Sequence, residues 1–362
     1  LYYTRNAYDV TVSMTRGVES YTIAADSLVE GNGVYTIKYE DEVTLTVTAR
    51  AGYDVAAWTV TAGVTINNNG SATSTLNMPV TNITLTANAT ARTDTRYVVR
   101  YYVQKADSTY VMDADFDEYS IGESHSGNRT GTTDTDVDLA ALRVVEIEGM
   151  TYSHYTANST TNVSDTLNGS LNIDGDGSLV ISLYYTRDTY TLTMTADRGV
   201  ATYGAVEKAG VVASGTKVYT VSYKVEVELE KSMSDGYSFE GYTGDVTVVN
   251  DRFSMPARAV ALNVEAEAIE YTITYDANGG QVSGTADVDY TATYTIEEGI
   301  TLAVVTRQGY DFTRYRVVAS VGNYEAGDVY IDRQVSAGKW GNVTLQAEWE
   351  ARTDTAYAIE DL

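Results

Sequence analysis

The sequence predicts a mostly β protein arranged as a tandem array of small modules, and three observations carry that expectation. Tyrosine occurs 31 times against 4 phenylalanines, and it alternates with Thr and Val over long stretches, the pattern of half-buried strands. Glycine occurs 29 times and proline twice, so turn positions are plentiful and strand breakers few. Whole phrases also recur: "LYYTRNAYDV" opens the chain and "LYYTRDTYTL" stands at 183–192, each followed by Arg-Gly-Val at Arg16–Val18 and Arg198–Val200. Recurrence of this kind marks a repeat architecture.

Along the chain, "YTIKYEDEVTLTV" begins at Tyr35 and "YTVSYKVEVELEK" at Tyr219, and each leads at the same spacing to Gly-Tyr, Gly52-Tyr53 and Gly236-Tyr237. The words there are "GYDVAAW" (52–58), "GYSFEGY" (236–242) and, in a third copy, "GYDFTRY" (309–315). Tyr53, Val55 and Trp58 cannot share one strand face, which predicts a bend or bulge before Trp58. Both prolines follow Met and precede an alternating strand, in "LNMPVTNITLTANA" and "FSMPARAVALNVEA". A second kind of unit runs from "ARTDTRYVVRYYVQ" (91–104) to "LVISLYYTR" (179–187), and its opening returns as "ARTDTAYAIEDL" (351–362). The parse is therefore 1–5, the closing strand of a truncated module; 6–90; 91–187, of another kind; 188–268, of the first kind; 269–350, of a third kind; and 351–362, the opening strand of a further module. Leu1–Arg5 is expected to lack the partners that Leu183–Arg187 has. No Pro/Ser linker separates the modules, so stiff junctions are expected.

Composition removes several function classes. With 24 Lys+Arg against 50 Asp+Glu, the 362-residue chain carries a formal charge of −26. Nucleic acid is repelled, and anionic membrane surfaces are disfavoured. The same charge favours weak divalent-cation binding. There is no cysteine, which excludes disulfides, thiolate zinc sites and cysteine nucleophiles. No apolar run reaches the length of a membrane span, so no membrane insertion is expected in this segment. No signal peptide is visible. The first residue already stands in a strand-like phrase, so the chain reads as a window on a longer array, with anchor and export signal outside it.

"EYTITYDANGGQVSG" (270–284), "GYDFTRY" and "GNVTLQAEWE" (341–350) together resemble the internalin B-repeat (Listeria–Bacteroides repeat) family. Tyr271, Asp276, Asn278, Gly279, Gly280, Gly309, Tyr310, Phe312, Leu345, Ala347 and Trp349 fall on its pattern, while "TRY" departs from the usual Gly-Trp. Modules 6–90 and 188–268 are similar to the divergent branch, marked by Met78-Pro79 and Met255-Pro256. Module 91–187 resembles mucin-binding-protein-like repeats, which close on Leu-Tyr-Tyr-x-Arg. The resemblance implies β-grasp-like α+β modules, with first and last strands parallel and adjacent, in exported bacterial surface proteins, and it implies no catalysis. Four such modules in line would make an elongated rod on the order of 120 Å long, at roughly 30 Å each.

Candidate sites are few. In "LNIDGDGSL" (171–179), Asn172, Asp174 and Asp176 have calcium-loop spacing, but the twelfth position is Leu183 where an EF-hand needs Glu. The alternative is an Asp-Gly hairpin turn. Asp113, Asp115 and Asp117 alternate and would share a strand face, a cation site or a solvated edge. His125, flanked by Ser124 and Ser126, and His154 offer no triad pattern. Tyrosines on half-exposed strands could stack on sugars or anchor a protein, or simply fill a strand face. Lys38, Lys217, Lys224 and Lys339 lie in strand-like words, and a fully buried one would point to a covalent crosslink. No cofactor other than a possible calcium ion is expected. The function expected is a mechanical spacer in adhesion. The competing readings are a module binding a host or neighbouring-cell glycan or surface protein, and a segment that self-associates head to tail; an enzyme is not expected.

Overall fold

The computed structural model describes residues 1–61, 63–112, 127–143, 147–158, 161–163, 171–282 and 290–354. The chain divides into two compact units, Leu1–Asp188 and Thr189–Leu362, and each contains two modules built on one plan. An opening strand lies beside the closing strand in parallel: Ala7–Met14 with Ile83–Ala91, Thr95–Gln104 with Val180–Arg187, Thr189–Ala196 with Val260–Ala268, and Tyr271–Asp276 with Val343–Ala351. On the closing strand's other side runs an antiparallel strand, Tyr53–Val60, Met150–Ala157, Tyr237–Gly244 or Tyr310–Ser320. The parallel pair implied by the family resemblance is thus present in every module.

The alternation in the sequence explains this arrangement. Thr95–Gln104 buries Tyr97, Val99, Tyr101 and Val103 and turns Arg96 and Arg100 to solvent, the period-two pattern of a sheet with one face on a core. In the first and third modules the opposite layer is a small three-stranded sheet, Val18–Ala24, Glu42–Ala49 and Thr73–Asn77, or Val200–Ala205, Glu226–Met233 and Arg252–Ser254. An α+β reading places a helix there, but β-branched words such as "EVTLTVTA" lose side-chain freedom in a helix and fit a pleated surface. The helix among the described residues is the single turn Leu139–Leu142, capped by the Asp138 carboxylate on Ala141 N at 3.1 Å.

The core of the first module lies between its two sheets and joins Val10, Ile37, Trp58 and Leu85 to Val43, Leu45, Val47 and Leu76. In the fourth module Tyr275, Tyr315, Val317 and Leu345 form the centre. There tyrosine does fill the strand face: Tyr315 OH donates to Ala303 O at 2.9 Å, and Tyr275 OH accepts from Ala303 N at 3.2 Å. Burying a ring while satisfying its hydroxyl avoids an orphaned polar group.

The bend or bulge expected before Trp58 is present between Ala56 and Thr59 and turns Trp58 into the core at 2% exposure. Asn69 braces it, accepting from Trp58 N at 2.6 Å and donating to Trp58 O at 2.9 Å. The corresponding strands shift register at Tyr152/His154, Phe239/Gly241 and Phe312/Arg314.

The Met-Pro words also have a physical role. Met78 and Met255 are buried, and both backbone groups of each are paired: Met78 with Asp41 O and Glu40 N, Met255 with Val225 O and Lys224 N. The proline that follows each stands where pairing has ended, before the closing strand, so its missing N–H costs no ladder bond.

At the chain's start, residues 1–6 form no strand, and Leu1, Tyr2 and Tyr3 are fully exposed. Arg5 is held, by Tyr39 O at 2.9 Å and the Asp41 carboxylate at 2.6 Å. The matching Leu183–Arg187 lies inside Val180–Arg187, paired on both sides. Residues 355–362 lie outside the described residues.

Candidate functional site: the joints between modules

The repeated words converge on one end of each module. The glycine of each Gly-Tyr or Gly-Met turn has positive φ: Gly52 +76°, Gly149 +66°, Gly236 +88° and Gly309 +78°, a region that favours residues without a β-carbon. Its carbonyl accepts the first amide beyond the closing strand, from Arg92, Asp188, Ile269 and Arg352, at 2.9, 2.9, 2.9 and 3.0 Å. Where the chain leaves a module, it is therefore clamped to that module's turn. Arg-Gly-Val completes the arrangement. A β-carbon on Gly17 would sit 2.2 Å from the Tyr53 ring, and one on Gly199 would sit 2.3 Å from the Tyr237 ring. Each glycine leaves the space that the tyrosine ring fills.

In the first unit, the Tyr53 hydroxyl donates to the Asp134 carboxylate of the second module, and Arg16 Nε pairs with the same carboxylate at 3.1 Å. Thr133 sits between the modules: its amide donates to Arg92 O at 2.9 Å, its hydroxyl to Gly52 O at 2.8 Å, and the same oxygen lies 2.7 Å from Thr95 Oγ1. Gly175 packs backbone to backbone, so that a β-carbon there would fall 2.0 Å from Ala51 O. The hydrogen bond to Asp134, with burial second, raises the Tyr53 pKa above its ordinary value.

The second unit has the same parts with a different partner. Tyr237 OH donates to Glu297 Oε1 at 3.1 Å, and a β-carbon on Gly236 would meet Ile296 Cδ1 at 2.7 Å. Burial, followed by the bond to Glu297, raises the Tyr237 pKa.

The acidic loop 171–179 belongs to the first joint. Asp174 O accepts from Gly177 N at 2.9 Å, Gly177 has φ +76°, and Asp176 Oδ1 accepts from Ser178 N at 2.9 Å. The contact with Ser178 holds the Asp176 carboxyl below its usual range. Asn172 bridges Asp136. These bonds make a tight turn that presents Gly175 to the first module. Among the described residues, no group of three or more histidine or carboxylate side chains is placed to share a metal ion.

Asp113, Asp115, Asp117, Ser124, His125 and Ser126 lie outside the described residues. His154 is half-buried and stacks on Tyr184 with centroids 4.5 Å apart, and Tyr184 stacks on Tyr102 at 4.8 Å. Tyr110 meets Tyr184 edge-on at 5.1 Å. The bulge between Tyr152 and His154 sets this face, a signal absent from residue types alone. Burial lowers the His154 pKa, favouring neutral imidazole. Lys38 is exposed, and Lys217, Lys224 and Lys339 are half-buried, so none of the four is the fully buried lysine that a crosslink would flag. The motif residues of the fourth module are structural. Asn278 Nδ2 donates to Ala347 O at 3.1 Å, Asp276 accepts from Gln346 Nε2 at 2.7 Å, and Trp349 Nε1 donates to Ala277 O at 3.0 Å. They tie the first loop to the closing strand.

Residues 21–93, which take in most of the first module, match the divergent InlB B-repeat domain family. No curated protein matches the chain. Among solved structures, the Bacillus anthracis TIE protein aligns at 8% identity, covering 93% of this chain and 76% of that one, with a TM-score of 0.31. The open conformation of the pilus adhesin SpaC from Lactobacillus rhamnosus GG aligns at 10% identity over 100% of this chain, with a TM-score of 0.19. The chain spans 56% of that adhesin's length.

Proposed function

We propose that this chain is a non-catalytic repeat segment of a bacterial surface or secreted protein, and that it serves as a load-bearing spacer in adhesion. The observation that carries the reading is the parallel pairing of opening and closing strands in every module. Tension applied through the two ends of such a module loads all the hydrogen bonds between those strands at once, in shear, instead of peeling them singly. Within each unit, the clamp at the exit of the leading module lies beside a short polar contact that passes load to the following module, Tyr53 to Asp134 in one and Tyr237 to Glu297 in the other. The B-repeat match of the first module supports the repeat character. Among the described residues no helix is long and apolar enough to cross a membrane. Single-molecule pulling on the ends tests the reading. Discrete unfolding steps are expected, each releasing roughly 280 Å for a module of about 80 residues at about 3.5 Å per residue. Smooth extension at low force would exclude a load-bearing role.

A second reading rests on the Tyr102–Tyr184–His154 stack, a partly exposed aromatic surface of the sort that holds sugar rings or a protein anchor. Binding of a glycan or protein partner by the whole chain, lost in Tyr184→Ala with unchanged thermal unfolding, would favour it. Calcium binding at Asn172, Asp174 and Asp176 is kept as a proposal. Titration calorimetry with calcium decides it, and absence of heat at millimolar calcium removes it.

A further inference from the structure

The first joint has a counterpart on the fourth module. Both closing strands run into the same four residues, Ala-Arg-Thr-Asp, at 91–94 and 351–354. Both arginines turn back to the aspartate of the Gly-Tyr-Asp turn, Arg92 to Asp54 at 3.6 Å and Arg352 to Asp311 at 3.6 Å. Each also reaches its own near aspartate, Asp94 at 3.0 Å and Asp354 at 3.4 Å. The exit amides and the positive φ of the two glycines agree as described above. In the first unit this face is covered by Thr133 and Gly175 of a module of the 91–187 kind. On the fourth module nothing among the described residues lies within 4 Å of a β-carbon built on Gly309, and Tyr310 is 36% exposed. The third module is the contrast: its exit residue is Ile269, it has no Ala-Arg-Thr-Asp, and its partner presents Ile296 in place of a Thr-Asp pair. The exit sequence and the partner's chemistry vary together.

We infer that the face formed by Gly309, Tyr310, Asp311 and Arg352 is a docking surface for a further module of the 91–187 kind. That module seats its counterparts of Thr133, Asp134 and Gly175 there. Its threonine amide bonds Arg352 O, and its threonine hydroxyl bonds Gly309 O. The inference rests on the geometry of the first joint and holds whether or not the array bears load.

The experiment replaces residues 355–362 of the chain with a second copy of residues 95–187, joined directly after Asp354. Amide exchange is followed at the grafted copy of Thr133. Exchange at least about tenfold slower than for an unpaired amide, lost in the Gly309→Val version of the same chain, is expected. A folded graft, shown by protected amides in its copy of Val180–Arg187, whose Thr133 copy exchanges freely and ignores Gly309→Val, overturns the inference. If the graft does not fold, the original chain decides. Gly52→Val opens the resident joint and frees the second module's face, so this variant should self-associate on sedimentation as its concentration rises. The Gly52→Val/Gly309→Val double variant should stay monomeric. Equal behaviour of the two overturns the inference.

Discussion

The joint in Leu1–Asp188 and the joint in Thr189–Leu362 use the same donor half and different acceptor halves. Tyr53 on Gly17 and Tyr237 on Gly199 are the same device. In the first, the partner answers with the Thr133 amide on Arg92 O, the Thr133 hydroxyl on Gly52 O and the Asp134 carboxylate, and Gly175 leaves no room for a side chain. In the second, it answers with the flexible end of Ile296 and one carboxylate, Glu297. One module type can therefore join two kinds of neighbour, because its share common to both contacts is a tyrosine hydroxyl that donates to a carboxylate. The partner decides whether the joint is locked or merely packed.

That contrast breaks most sharply at Gly175. Gly175→Val forces a β-carbon against Ala51 O, and overpacking of this sort costs about 1–3 kcal/mol. The first joint should open, with the two modules of the first unit unfolding in separate calorimetric transitions. Gly236→Ala should leave the second joint closed, because Ile296 can move aside, and should cost only the positive-φ strain of about 1 kcal/mol. A split transition in the second unit would erase the distinction.

Next in size are the tyrosines. Tyr53→Phe should weaken the first joint by about 1 kcal/mol, the usual scale for one lost hydrogen bond, and Tyr237→Phe should weaken the second by less. Differential scanning calorimetry of each variant against the parent reads both. High pH sharpens the same comparison. Both hydroxyls have raised folded pKa values. The stability they lend is therefore full below the unfolded tyrosine pKa of about 10 and is lost as pH rises through the folded value. Tyrosinate absorbance should lag in the parent and advance in Asp134→Ala for the first joint. The smallest effect is expected for Arg16→Ala. Arg16 is 71% exposed at its side chain, and a surface ion pair of this kind contributes about 0.5 kcal/mol or less.

Much of the fold was legible because strand alternation is local. The break in alternation before Trp58 followed from counting faces, and the Met-Pro pairs marked where the closing strands of the first and third modules begin. Parallel pairing of first and last strands was reachable only through the family resemblance, since periodicity fixes faces and not neighbours. The second sheet that stands where a helix was implied shows β-branched words prevailing over family expectation. The joint was the hardest to see: Tyr53 and Asp134 are 81 residues apart, and nothing in Asp134's own neighbourhood marks it. Its signal was present in the repeats, Arg-Gly-Val always paired with Gly-Tyr, but that spacing describes a space and the ring that fills it only once Gly17 and Tyr53 are seen in contact. The acidic loop reads two ways in the sequence for a related reason, since a docking turn and a cation loop both need closely spaced Asp and Gly.

The most direct test of the locked joint is amide exchange at Thr133 in the intact chain. A slow rate, matching that of the sheet amides in Thr95–Gln104 and accelerated by Gly175→Val without change in those strand amides, is the expected result. A Thr133 amide that exchanges as fast as an exposed loop, or that ignores Gly175→Val, would contradict a joint locked through the Thr133 amide.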